Sequence, residues 1–90
     1  MEIEFTKTAR KFINAQDTRT KKRIREAIHG LTENPPNGDI KPLQGYSDGR
    51  KRLRKGGFRI IFNFISADSE VKSNEKLLII DIGVRGDIYK

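Results

Sequence analysis

The stretch Arg50-Lys51-Arg52-Leu53-Arg54-Lys55-Gly56-Gly57-Phe58-Arg59-Ile60-Ile61-Phe62 decides the reading of this chain. Gly56-Gly57 is a signal for a two-residue hairpin turn. Beyond the turn, Phe58 to Ile65 is apolar on both faces, which predicts a central strand. Before it, Arg50 to Lys55 predicts the partner strand. Side chains alternate across a strand, so Arg50, Arg52 and Arg54 project to one side and Lys51, Leu53 and Lys55 to the other. With Leu53 turned toward a core, the three arginines line the opposite, open face, and Arg59 joins them across the turn. Between Arg50 and Arg59 there are six basic residues and no acidic one. Like charges packed into a sheet repel one another unless an anion offsets them. Guanidinium groups bind phosphate in a bidentate manner and stay charged at every relevant pH. The row therefore predicts a polyanion site; the plainer reading is solvated charge that keeps a sheet edge soluble.

Working outward, Glu2 to Thr6 alternates polar and apolar residues and predicts a short first strand. Thr6 or Thr8 is placed to cap a short helix whose apolar positions are Ala9, Phe12 and Ile13. Asp17 or Thr18 is placed to cap a second helix, with Ile24, Ala27, Ile28 and Leu31 as a narrow apolar stripe. Asn34-Pro35-Pro36-Asn37-Gly38 ends that helix. Residues 37–49 read as loop, with Pro42 and Leu43 as the only anchors. Residues 66–75 read as a polar connection. Leu77 to Val84 reads as a second strong strand, and residues 85–90 close the chain. The order strand, helix, helix, then three strands predicts one α+β domain over residues 1–90. In it, the N-terminal strand and a helical hairpin pack on one face of an antiparallel sheet.

Composition narrows the chemistry. The chain has 90 residues, a net charge of +7, no cysteine and one histidine. Disulfides, thiolate metal sites, iron–sulfur clusters, thiol nucleophiles and multi-histidine metal sites are excluded, and no cofactor or metal is expected. No apolar run approaches the ~20 residues of a membrane span. The opening Met-Glu-Ile-Glu-Phe is not a signal peptide, so the expectation is a cytoplasmic protein without a membrane partner. His29 falls on the polar side of the second helix, and the carboxylates are scattered, so triad and paired-carboxylate chemistry are poor fits. An enzyme built on this sequence has to use arginine, lysine and tyrosine. RNA carries its own nucleophile in the 2′-hydroxyl. Cleaving it needs charge stabilisation, which arginine supplies, and proton transfer, which lysine or tyrosine performs if neighbouring cations lower its pKa.

Three segments, in order behind a helical hairpin, resemble the RelE/ParE superfamily of type II toxins, on the RelE-like side. The first is Arg50 to Phe62, with its two basic positions, Leu, then Gly-aromatic-Arg-aliphatic-aliphatic-aromatic. The second is Lys41-Pro42-Leu43-Gln44-Gly45, and the third is Ile82-Gly83-Val84-Arg85-Gly86-Asp87-Ile88-Tyr89-Lys90. The resemblance spans essentially the whole chain. It implies a microbial RNase-like fold and a metal-independent mRNA interferase that cuts mRNA in the ribosomal A site and leaves a 2′,3′-cyclic phosphate. It also implies a cognate antitoxin that silences the toxin, with operator DNA contacted only through that antitoxin. Matched by motif, Arg52, Arg59, Arg85 and Tyr89 are the expected catalytic residues. Arg50, Arg54, Lys51 and Lys55 are the expected RNA-phosphate contacts. Some members of the superfamily carry lysine where this chain has Arg50 and Arg52. Arginine is a poor base, so Lys51, Lys55 and Tyr89 stay open as proton acceptors. The alternatives are a ParE-like gyrase poison and an inactive antitoxin-binding module.

Overall fold

The computed structural model describes residues 2–33, 35–46, 49–66 and 75–84. The elements are β1 (Glu2–Phe5), α1 (Lys7–Asn14), α2 (Thr18–Gly30), β2 (Asp39–Pro42), β3 (Lys51–Lys55), β4 (Phe58–Ser66) and β5 (Glu75–Val84). They form an α+β domain with a five-stranded sheet in the order β1-β5-β4-β3-β2. The last three strands make the expected antiparallel meander. β1 joins its outer edge in parallel with β5, so the sheet is mixed.

Both helices start on side-chain caps. The Thr6 hydroxyl accepts from the Ala9 N–H at 3.1 Å and donates to the Ile80 carbonyl, fixing α1 to β5. The Asp17 carboxylate accepts from the Thr20 N–H at 2.7 Å, a bond that holds its pKa below the usual carboxylate value. Ala9, Ile24, Ala27, Ile28 and Leu31 of the helical layer bury against Leu53, Ile60, Phe62, Leu77, Ile79 and Ile82 of the sheet. The apolar stripe of α2 and one parity of each strand thus supply the core.

Residues 37–49 are not all loop. Asp39–Pro42 pairs with β3 as an antiparallel edge strand, with Ile40 opposite Leu53. Its entry requires glycine. Gly38 has φ +126°, and a Cβ there would lie 2.5 Å from Leu53 Cδ1. β5 carries a bulge: Ile61 pairs with Asp81 and Phe62 with Ile79, so Ile80 has no partner on β4. The extra residue changes the parity of the strand, which is why Ile79 and Ile82 both reach the core. The Asp81 carboxylate accepts from the Ile82 N–H at 2.9 Å beside it. Among the described residues, no helix is long and apolar enough to cross a membrane.

Candidate nucleic-acid interface

Leu53 and Ile60 point into the core, so their neighbours Arg52, Arg54, Arg59 and Ile61 belong to the open face. The register sets their spacing. Lys41 stands opposite Arg52, and Arg54 stands between Asp39 on one side and Arg59 on the other. Directly opposed side chains in an antiparallel pair have Cβ atoms about 4.5–5.5 Å apart. Lys41, Arg52, Arg54 and Arg59 consequently line one shallow groove of about 500 Å³, walled by Pro42, Leu43 and Gln44.

The groove is graded in depth. Arg59 is buried, the Arg52 side chain is 11% exposed, and Arg54 and Lys41 are exposed. The Arg52 guanidinium lies 3.7 Å from the Asp39 carboxylate, beyond hydrogen-bond reach. Its Nη1 is buried and makes no hydrogen bond among the described residues. A buried donor of this kind is costly unless something accepts from it.

The opposite edge of the same face is different. Lys76 Nζ lies 3.2 Å from Glu4 and 3.3 Å from Glu2. The hydrogen bond to Glu4, then that to Glu2, holds this ammonium above the usual lysine pKa. Positive charge on the open face is thus offset beside β1 and in excess beside β2 and β3. The second edge therefore carries the net positive charge of the face among the described residues.

Of the residues singled out from sequence, Arg52, Arg54 and Arg59 are brought together. The Arg50 guanidinium sits over the Tyr46 ring at 4.1 Å from its centroid, outside the groove lining. Lys51 is on the helix side of the sheet, 5.9 Å from the Phe64 ring. Lys55 lines a separate groove between α2 and the β3–β4 turn, with Arg23, Glu26 and Phe58. Arg85 and Tyr89 lie outside the described residues. Lys41 is the groove residue that site reasoning from sequence did not pick out. Its signal was the alternation Asp39, Ile40, Lys41, in which one apolar residue between two charged ones marks a two-faced strand.

A further groove, of about 430 Å³, runs along β1 and the helices. Ile3, Phe5 and Ile13 contribute its apolar part, and Arg10, Lys21, Arg25 and His29 its polar part. Among the described residues, no acidic one lines it.

No protein-family model matches the chain, and neither does any curated protein sequence. Solved structures do. The chain is similar to a chain of the RelBE2 toxin–antitoxin complex from Mycobacterium tuberculosis, with TM-score 0.69 and 24% identity over 93% of this chain and 96% of that one. It is similar to a chain of the archaeal RelE–RelB complex from Pyrococcus horikoshii, with TM-score 0.69 and 21% identity over 96% of each. It is also similar to the isolated RelE toxin of E. coli, with TM-score 0.65 and 20% identity over 98% of this chain and 89% of that one. From β1 through the meander and its two covering helices, the chain has the fold of the RelE toxins.

Proposed function

We propose that this chain is the toxin of a type II toxin–antitoxin pair and that it cleaves mRNA in the ribosomal A site. The observation that carries the proposal is the convergence of Arg52, Arg54 and Arg59, from two strands, on one open groove. In the proposed reaction the RNA 2′-hydroxyl oxygen attacks the adjoining phosphorus and the 5′-oxygen of the next nucleotide leaves. A 2′,3′-cyclic phosphate remains. The hydroxyl proton passes to a base, and the leaving oxygen takes up a proton. Arg52 and Arg59, at the floor, donate to the phosphorane as its negative charge grows, which is the largest single electrostatic contribution available here. Arg54 and Lys41, at the rim, hold the flanking phosphates. Arg85 adds a further cation. Lys51 and Lys55 face away from the groove, which favours Tyr89 as proton acceptor. A tyrosine accepts a proton only as its phenolate, a minor form near neutral pH, so the ribosome supplies much of the alignment of the substrate.

The antitoxin is the second partner. A cytoplasmic, acidic and amphipathic segment suits the apolar groove beside β1 with its rim of Arg10, Lys21 and Arg25. Operator DNA is then reached only through that antitoxin.

The deciding experiment is cleavage of a defined mRNA on programmed ribosomes, with free mRNA alongside and the 3′ ends analysed. A-site cuts ending in a cyclic phosphate are expected. A folded protein that leaves programmed mRNA intact would overturn the nuclease reading, and inhibition of gyrase supercoiling by the same preparation would move the assignment to a ParE-like poison.

A further inference from the structure

Beside the groove that the proposed function assigns to RNA stands a group of the wrong sign. Asp39 stands opposite Arg54 in the β2–β3 register, and its carboxylate lies 3.7 Å from Arg52 Nη1. The contact is close enough for ionic attraction and too long for a hydrogen bond. Arg52 therefore has a counter-ion but keeps an unmade donor bond, because its buried Nη1 has no hydrogen-bond acceptor among the described residues. The Asp39 side chain is 46% exposed, whereas that of Arg52 is 11% exposed. The carboxylate is the more solvated partner and the guanidinium the more buried one.

We infer that Asp39 is an internal competitor for the phosphodiester backbone, a selectivity residue that occupies Arg52 loosely until RNA displaces it. The inference rests on the reading of this groove as an RNA site. A phosphate oxygen within hydrogen-bond distance of Nη1 completes the bond that Asp39 leaves unmade. Asp39 opposes every anion that approaches, by Coulomb repulsion over several ångströms. A single weakly held anion gains one contact against that repulsion. A strand whose successive phosphates reach Arg52, Arg54 and Arg59 together gains several, so the carboxylate favours polynucleotide over small anions. It also lowers the resting charge of the groove, and with it non-specific attraction to other polyanions.

The test is fluorescence anisotropy with a labelled, 2′-O-methylated single-stranded oligoribonucleotide, which lacks the nucleophile and is not cut. Wild type, Asp39→Asn, Asp39→Glu and Arg54→Ala are compared over a range of salt, each checked for an intact thermal transition. Asp39→Asn removes charge and keeps shape. It is expected to tighten binding by about three- to tenfold at low salt, the range set by one unit charge several ångströms away at a partly exposed site. Its log–log salt slope is expected to steepen by up to about 0.7. Asp39→Glu keeps the charge and is expected to stay within about twofold of wild type. Arg54→Ala is expected to weaken binding. If Asp39→Asn binds no more tightly than wild type while Arg54→Ala binds more weakly, the competitor role is overturned and the RNA groove stands. If Asp39→Asn binds more weakly, Asp39 is a positioning residue for Arg52 and the competitor role is overturned. If Arg54→Ala is unchanged, or wild type does not bind, the groove reading fails and this inference fails with it.

Discussion

The two faces of the sheet are made from the same strands and share almost nothing else. On the helix side, Leu53, Ile60, Phe62, Leu77 and Ile79 are all close to fully buried. On the open side stand Arg52, Arg54 and Arg59, one residue along from Leu53 and Ile60, and Asp81, which neighbours the core residue Ile82 beyond the bulge. Period-two alternation places a residue of each kind at successive positions, so core and groove are held in register by one backbone. The difference teaches where each property of the molecule resides. The covered face pays for the fold through apolar burial. The open face gathers the like charges of Arg52, Arg54 and Arg59. Arg54 and Arg59 are direct cross-strand partners, an arrangement that is destabilising between like charges.

Substitutions on the two faces should separate these properties, and the largest effect belongs to the covered one. Phe62 is fully buried, and Phe62→Ala should cost about 3–5 kcal/mol in denaturant unfolding. In a small domain that is a large share of the total stability, so a folded fraction near that of wild type would break the comparison. Next in size is the loss of a groove donor. Arg52→Ala should lower cleavage on programmed ribosomes by about 10²-fold, as removal of one donor to a developing oxyanion does, with its unfolding transition close to wild type. A loss of stability as large as that of Phe62→Ala would mean that the open face is structural after all. The smallest effect is the most telling. Arg54→Gln relieves repulsion from Arg59 and gives up the attraction of Asp39 on its other side, so it should shift stability by no more than a few tenths of a kcal/mol while weakening RNA binding. Weaker binding at nearly unchanged stability sharpens the division of labour; a stability loss on the scale of Phe62→Ala removes it.

Much of this was legible in the sequence because it is local. The Gly-Gly turn, the alternation in Arg50 to Lys55 and the apolar run after Phe58 are read over a dozen neighbouring residues, and they place Arg52, Arg54 and Arg59 together. The stripe of α2 is read the same way. What was not legible depends on partners far along the chain. β2 is four residues long, ends in proline and shows one apolar side chain, Ile40. It is a strand because Leu53 and Arg54 offer it an edge, and with it Lys41 enters the groove. The bulge at Ile80 follows from the pairing of β5 with β4 and from the Thr6 hydroxyl that takes its carbonyl. Arg50 shows the limit of extrapolating a pattern: β3 begins at Lys51, and the residue before it leaves the row for Tyr46.

The parallel pairing of β1 with β5 also sets a clock on each new molecule. Thr6 bonds to a carbonyl 74 positions later in the chain. At about 5–20 residues per second, translation needs roughly 4–15 seconds to cover that distance. Domains of mixed α/β type close in well under a second once their segments are present. Ile3 and Phe5 therefore wait on synthesis for β5, their strand neighbour among the described residues. The arginine hairpin, whose turn is local, needs no such wait. Completion of the sheet is timed by the ribosome that makes the chain.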